Sequence, residues 1–382
     1  MFDPTTLFTD RVRAIDASGI RRVFDLAAKI ENPINLSIGQ PDFDVPAAAK
    51  RAAVDAIEAG HNKYTQTQGI APLRARIAAD VARDFAQDGR WADFGTLITS
   101  GVSGGLLLSM LACVEPGDEV LVPDPYFVMY KHLVTLAGGR SVFVDTYPDL
   151  QLTAARVEPL MTARTKLLLL ASPSNPTGVV TPPRAMAELV DLCRSRGVLL
   201  VSDEIYDHFC YEPIDAPAGP RAPSPAMFSD ALLLLGGFTK RFAMTGWRVG
   251  YAVGPVELIE QMAKLQQYTF VCAPSMAQHA ALEAMGVDMS AQFEAYRRKR
   301  DMVVDALADR FELVAPGGAF YAFPKVPTGE TATAFVERAI EKDLLIIPGS
   351  VFSERDTHFR LSYACDEATL SKGLSILNEL AR

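Results

Sequence analysis

Along the middle of the chain, apolar residues come in short unbroken runs rather than in strict alternation. EVLVPD (119–124), RSVFVD (140–145), KLLLLASP (166–173), VLLVSDE (198–204), ALLLLGGF (231–238) and WRVGYAVG (247–254) each read as a strand. Runs of this length, bounded by turn residues, predict strands buried on both faces. Between them, YFVMYKHLVTLAGG (126–139) and RAMAELVDLCRSRG (184–197) carry helical spacing and end on glycine. Strands alternating with helices predict βαβ units and a mostly parallel sheet. The pattern then changes. FEAYRRKRDMVVDALADR (293–310) is a charged amphipathic helix, followed by FELVAP (311–316), AFYAF (319–323), a helix near TATAFVERAIEKD (331–343), LLIIPG (344–349), FRLSYA (359–364) and a last helix. That is an α+β pattern. It predicts a large domain over residues 46–284 and a smaller one built from residues 1–45 and 285–382. The Pro-rich stretch PAGPRAPSPAMF (217–228) reads as a surface connection.

Composition narrows the class. A chain of 382 residues with 49% hydrophobic content has ample core and is long for one simple domain. A net charge of −9 and a pI near 5.2 repel phosphate backbones, which argues against a nucleic-acid partner. Any bound anion must be held by local positive charge. The five cysteines are scattered and form no CxxC, so neither a disulfide scaffold nor a metal site is expected. The opening MFDPTTLFTDRVRAID carries charges where a signal peptide needs an apolar run. No apolar segment approaches the roughly 20 residues that span a bilayer. The expectation is a soluble, cytoplasmic protein with no membrane partner.

Ligands of an open parallel sheet bind beyond the carboxyl ends of its strands. After LITS (97–100) comes Gly101-Val102-Ser103-Gly104-Gly105 and then a helix, a setting whose free N–H groups suit a phosphate. The same five residues fit the G-x-S-x-G elbow of α/β-hydrolases, with Ser103 as nucleophile. The histidines after Ser103 are His132, His208, His279 and His358, and none lies in a segment that marks a triad base. Asn175 follows one strand, and Asp203 and Tyr206 lie at the end of another. Thr239 and Lys240 follow a third, and Arg248 comes eight residues after Lys240. A lysine behind an apolar strand and trailed by Phe242, Met244 and Trp247 predicts a partly dry amine, usable as nucleophile or base. Arg248 offers a bidentate fork for phosphate.

Taken together, LSIGQPDF (36–43), KYTQTQGIAPLR (63–74), PDPYF (123–127), SPSNPTG (172–178), SDEIY (202–206), TKRFAMTGWRVGY (239–251), PGGAFYAF (316–323) and FRLSYA (359–364) cover nearly the whole chain. With these segments the chain resembles the class I and II aminotransferases of the pyridoxal-phosphate fold type I, close in layout to bacterial aspartate aminotransferases. The resemblance implies a large domain with a mostly parallel mixed sheet flanked by helices, plus a smaller α+β domain. It implies a Schiff base between Lys240 and pyridoxal 5′-phosphate, with Asp203 on the ring nitrogen and Asn175 and Tyr206 on the ring oxygen. It assigns phosphate contacts to Val102, Ser103, Thr239 and Arg248, ring stacking to Phe127, and a cis Asn175–Pro176 bond. Arg360 is implied as the clamp on the substrate α-carboxylate, helped by Asn175 and by Gly39 in a segment that closes over the site. Tyr64 is implied to reach the phosphate of a neighbouring subunit, which makes the protein a homodimer with shared sites. The implied reaction moves an amino group between an L-amino acid and a 2-oxo acid with ping-pong kinetics. In one branch of the dicarboxylate-specific relatives a basic residue lies in the turn that here reads GVSGG, with Lys131 and Arg140 the nearby cations in sequence, so the resemblance supports alanine, aromatic or other neutral amino acids as well as it supports aspartate. A C–S β-lyase on the same scaffold and a Ser103 hydrolase are the alternatives.

Overall fold

The computed structural model describes residues 2–15, 30–86, 89–217, 219–327 and 329–382. Residues 16–29, part of the N-terminal stretch expected in the smaller domain, lie outside the described residues. The central sheet has seven strands: β2 (Gly95–Thr99), β3 (Glu119–Asp124), β4 (Arg140–Asp145), β5 (Thr165–Ala171), β6 (Leu199–Asp203), β7 (Leu233–Gly237) and β8 (Gly250–Gly254). They lie in the order β2-β8-β7-β6-β5-β3-β4. Only β8 runs antiparallel to its neighbours, so the sheet is mixed and mostly parallel, as expected.

The unbroken apolar runs have a direct cause. In β5, Leu168 and Leu170 pack into one core with Ile77, Met186 and Leu189, while Leu167 and Leu169 pack into another with Leu106 and Tyr130. All four leucines are essentially inaccessible. Helices cover both faces, so neither face has a reason to alternate. Each such leucine contributes about 1.5–3 kcal/mol of burial.

A third core gathers the C-terminal elements. Leu36 meets Val303 and Leu307 of the helix Ser290–Leu307 and Leu370, Leu374 and Leu377 of the helix Glu367–Leu380. Two small sheets accompany it. β1 (Ile34–Asn35) pairs in parallel with β10 (Leu344–Leu345), and β12 (Phe359–Ser362) lies between β9 (Tyr321–Ala322) and β11 (Ile347–Pro348).

Four expectations need correction. LLIIPG is two short strands that belong to different sheets, because the chain leaves β1 at Ile346 and turns to meet β12. FELVAP forms no strand, and AFYAF pairs only at Tyr321 and Ala322. WRVGYAVG becomes a strand only from Gly250, since Arg248 adopts a left-handed backbone at φ 54°.

The Pro-rich stretch is the fourth. Its second half, 221–226, is buried rather than superficial. Arg221 explains why. Its guanidinium pairs with Asp84 at 3.1 Å, Glu204 at 3.0 Å and Asp207 at 3.1 Å. Ser224 donates to Glu204 at 2.5 Å. Burial nevertheless pushes the Glu204 carboxyl up to about 7. Arg221→Met keeps most of the volume and leaves three carboxylates without their shared cation. Removing one side of a buried ion cluster costs about 3–5 kcal/mol. Urea denaturation should show a loss of that size, and a loss below about 1 kcal/mol would contradict this account.

Candidate active site

The C-terminal ends of β5, β6 and β7, and the turn between β7 and β8, converge on one cavity of about 280 Å³. Eleven of the twelve residues singled out from the sequence line it: Gly39, Val102, Ser103, Phe127, Asn175, Asp203, Tyr206, Thr239, Lys240, Arg248 and Arg360. Tyr64 does not. It is 84% exposed and borders a separate surface cleft with His61, Thr65 and His279.

Each group is delivered by a local reason. Asp203 is the last residue of β6, paired in register with Ala171 at the end of β5. Its carboxylate accepts from the Tyr130 hydroxyl at 2.8 Å and from the Ile205 N–H at 3.3 Å. Burial pushes its carboxyl up to about 6, against those hydrogen bonds and the Lys240 charge. A buried carboxylate facing open space is a ready acceptor for a protonated ring nitrogen.

Lys240 follows β7 and is partly buried. Its Nζ donates to the Gly39 carbonyl at 2.6 Å. Burial first, then the Arg360 and Arg248 cations, push its amine down to about 8, with Asp203 opposing. A fraction of the amine is therefore free base near neutrality.

The phosphate-sized end is built from a close approach. The helix Gly101–Cys113 opens at Gly101 itself, so the expected turn is the helix's first turn. Gly101 has φ +66°, and a Cβ there would stand 2.6 Å from Arg248 Nη2. A Cβ on Gly250 would meet the Val102 nitrogen at 2.8 Å. Glycine at both places lets β8 and Arg248 press against the helix N-terminus. The Arg248 backbone is left-handed, and its Nη1 donates to the Thr245 carbonyl at 3.0 Å. Helix amides, a guanidinium and the Ser103 and Thr239 hydroxyls form a donor set matched to a phosphate dianion.

At the opposite end stands Arg360 on β12, only 2% exposed. Nη1 donates to Asn175 Oδ1 at 3.0 Å and Nη2 to the Ser37 carbonyl at 2.8 Å, and Nε has no partner among the described residues. Its guanidinium lies 4.6 Å from the ring centres of both Tyr321 and Phe352. The Asn175–Pro176 bond is cis, which agrees with the expectation from the motif. A buried arginine with two neutral acceptors and a spare donor suits a carboxylate.

Sequence reasoning missed three residues here. Tyr130, on the first turn of the helix Met129–Ala137, reaches Asp203 from 73 positions away. Tyr321 looked like one more apolar position of a short strand. Ser37 acts through its carbonyl, which no side-chain pattern reveals. Lys131 and Arg140, considered as extra cations, point elsewhere: Lys131 lies over the Tyr126 ring and Arg140 pairs with Glu119. The hydrolase alternative fails on geometry, since no histidine among the described residues lines the cavity that holds Ser103.

A buried lysine, an anion cradle, a carboxylate and a carboxylate clamp in one cavity match the needs of pyridoxal phosphate and an amino acid. The family model for aminotransferase class I and II matches residues 31–377. The aspartate/prephenate aminotransferase of Thermus thermophilus is 38% identical over 351 residues, covering 89% of each chain. Aromatic-amino-acid aminotransferase 2 of Thermococcus litoralis is 33% identical over 387 residues, covering 98% of each. A solved Thermus thermophilus aspartate aminotransferase single mutant superposes with a TM-score of 0.90 at 35% identity, covering 98% of this chain and 99% of that one. None of these carries a lyase name, and the β-lyase alternative finds no support. The chain belongs to the class I and II aminotransferases, and it is a pyridoxal-phosphate-dependent transaminase.

Proposed function

We propose that Lys240 holds pyridoxal phosphate covalently through Nζ, and that the enzyme passes an amino group from an L-amino acid to a 2-oxo acid in two half-reactions at this one site. The observation that carries the reading is the convergence of Lys240, Asp203, Arg248 and Arg360 on a single cavity. When bound, the cofactor supplies an electron sink for charge developing on the substrate's Cα. Arg248, Ser103, Thr239 and the amide of Val102 would hold its phosphate, Phe127 would pack on its ring, and Asp203 would keep its ring nitrogen protonated. Asn175 and Tyr206 serve the ring oxygen. Arg360 fixes the substrate α-carboxylate, and Gly39 shuts the loop over it. Lys240 Nζ would be the base that takes the proton from the substrate's Cα and the acid that gives it back. Two half-reactions sharing one site give ping-pong kinetics.

The cations lining the cavity are Lys240, Arg248 and Arg360, and each already has a task. Among the described residues, no fourth cation in the lining awaits a side-chain carboxylate, so neutral and aromatic donors are the expected substrates. Two domains, 46–284 and 1–45 with 285–382, would frame the site. A homodimer in which Tyr64 reaches the neighbouring phosphate accounts for an exposed apolar rim. Tyr64, Tyr268, Phe270 and Val271 are all exposed, and Phe270 lies 3.6 Å from where a Gly104 Cβ would stand.

The test is a donor panel on the holoenzyme, each amino acid given singly and the visible absorbance followed. A transaminase bleaches once per site and turns over only when a 2-oxo acid is added. Sustained pyruvate and ammonia without an acceptor would instead mean a lyase. Faster bleaching by aspartate than by any neutral or aromatic donor would overturn the proposed substrate class.

A further inference from the structure

Two buried phenols meet beside the cavity. Tyr206 and Tyr321 share a hydrogen bond of 2.9 Å between their hydroxyls, with rings at 86°. In the proposed function Tyr206 must donate to the ring oxygen, yet a phenol has one proton. If Tyr206 spends that proton on Tyr321, it has none for the cofactor. The direction of this one bond therefore decides what Tyr206 can do.

Either hydroxyl could be the donor, and the surroundings of Tyr321 favour one direction. Its ring lies 4.6 Å from the Arg360 guanidinium, so a buried cation sits on one of its faces. A nearby cation stabilises a phenolate and makes the hydroxyl a stronger donor. Burial raises both phenols, and a cation stands nearer Tyr321: Arg360 lies 4.6 Å from its ring centre, against 5.8 Å between Lys240 and the Tyr206 ring. The more acidic hydroxyl donates and the less acidic one accepts. The Tyr321 hydroxyl also lies close against Gly39, where a Cβ would stand 2.7 Å from its oxygen. The strand that carries it is paired to β12 at Ser362, two residues beyond Arg360.

We propose that Tyr321 is a positioning residue: it donates to Tyr206, which leaves the Tyr206 proton free for the ring oxygen of the cofactor, and it bears with its ring face on the arginine that clamps the substrate. This rests on the reading of Tyr206 and Arg360 given above. One aromatic side chain thereby links the substrate clamp to the cofactor's own acid–base state. A carboxylate arriving at Arg360 neutralises the cation over Tyr321 and weakens the donor that supports Tyr206.

The experiment is a spectral pH titration of the holoenzyme, reading the midpoint of its pH-dependent visible band. Tyr206→Phe removes a donor from the ring oxygen, leaves more negative charge beside the protonated nitrogen, and raises the midpoint. Tyr321→Phe should raise it by about half a unit. The double variant should titrate like Tyr206→Phe alone, because Tyr321 acts only through Tyr206. Placing 3-fluorotyrosine at 321 makes a more acidic donor and should lower the midpoint, a change of sign that a packing role cannot produce. An unchanged midpoint in Tyr321→Phe, additive shifts in the double variant, or an upward shift with fluorotyrosine overturns the proposal. Absence of any visible band after the unaltered protein is loaded with pyridoxal phosphate would overturn the cofactor assignment itself, which is a separate failure.

Discussion

Lys240→Ala is expected to lower kcat by about four orders of magnitude or more while the protein stays folded and still binds the cofactor weakly. Two losses combine. The variant has no amine to hold the cofactor, and it has no base near the substrate's Cα, a role worth about 10²–10⁴ on its own. Binding should survive in part because the phosphate cradle does not depend on Lys240. Gly101 and Gly250 still let Arg248 press against the helix N-terminus. The variant also loses the Nζ contact to the Gly39 carbonyl, so the loop over the site loses one tether. Absorbance after mixing with a single donor, followed over hours, measures the residual rate. Activity within tenfold of the unaltered enzyme would remove Lys240 from the mechanism.

Much of this site is legible in the amino-acid sequence. Lys240 and Asp203 close apolar runs and Arg248 precedes one, and strand ends are where such sheets bind ligands. What was not legible depends on pairings remote in sequence. Arg221 sits in a stretch rich in proline and alanine that composition assigns to the surface, and its partner Asp84 is 137 positions away. Tyr130 carries helical spacing like any buried aromatic, and nothing local announces its bond to Asp203. LLIIPG reads as one strand because side-chain pattern records burial, not which sheet supplies the partner. Boundaries moved for a related reason. The left-handed Arg248 delays β8 to Gly250, and a side-chain pattern does not report φ.

Asp203→Asn is the second large effect, with kcat expected to fall by about 10²–10³. The amide keeps the shape and a partner for Tyr130, but it has no charge to hold a proton on the ring nitrogen. The same variant should change the pH dependence of stability. Without a cationic ring facing it, Asp203 titrates near 6 in the fold against an ordinary 3.8. A raised carboxyl contributes stability that is fully present below 3.8 and is lost as pH rises through about 6. The cofactor-free enzyme should therefore weaken over that window. A bound cationic ring reverses the shift, so the gap in Tm between the holoenzyme and the cofactor-free enzyme should widen as pH rises toward about 6 and level off above it. Asp203→Asn should show no such widening. A gap that widens equally in both proteins would mean another group is responsible.

The loop carrying Gly39 has a consequence for the resting enzyme. Its Ser37 carbonyl takes one donor of Arg360, and its Gly39 carbonyl takes the amine of Lys240. Further along, Asp42 is held by Tyr296 and Lys299 of the helix Ser290–Leu307. On the proposed reading of Arg360, the Ser37 carbonyl offers it a neutral oxygen where a substrate carboxylate would bind. An incoming molecule does not meet bare cations. It must exchange a weak partner for a charged one, and only a carboxylate that gains from charge assistance makes that exchange favourable. If Arg360 is the clamp, the first act of discrimination would be a displacement of this main-chain oxygen, ahead of any bond change in the substrate.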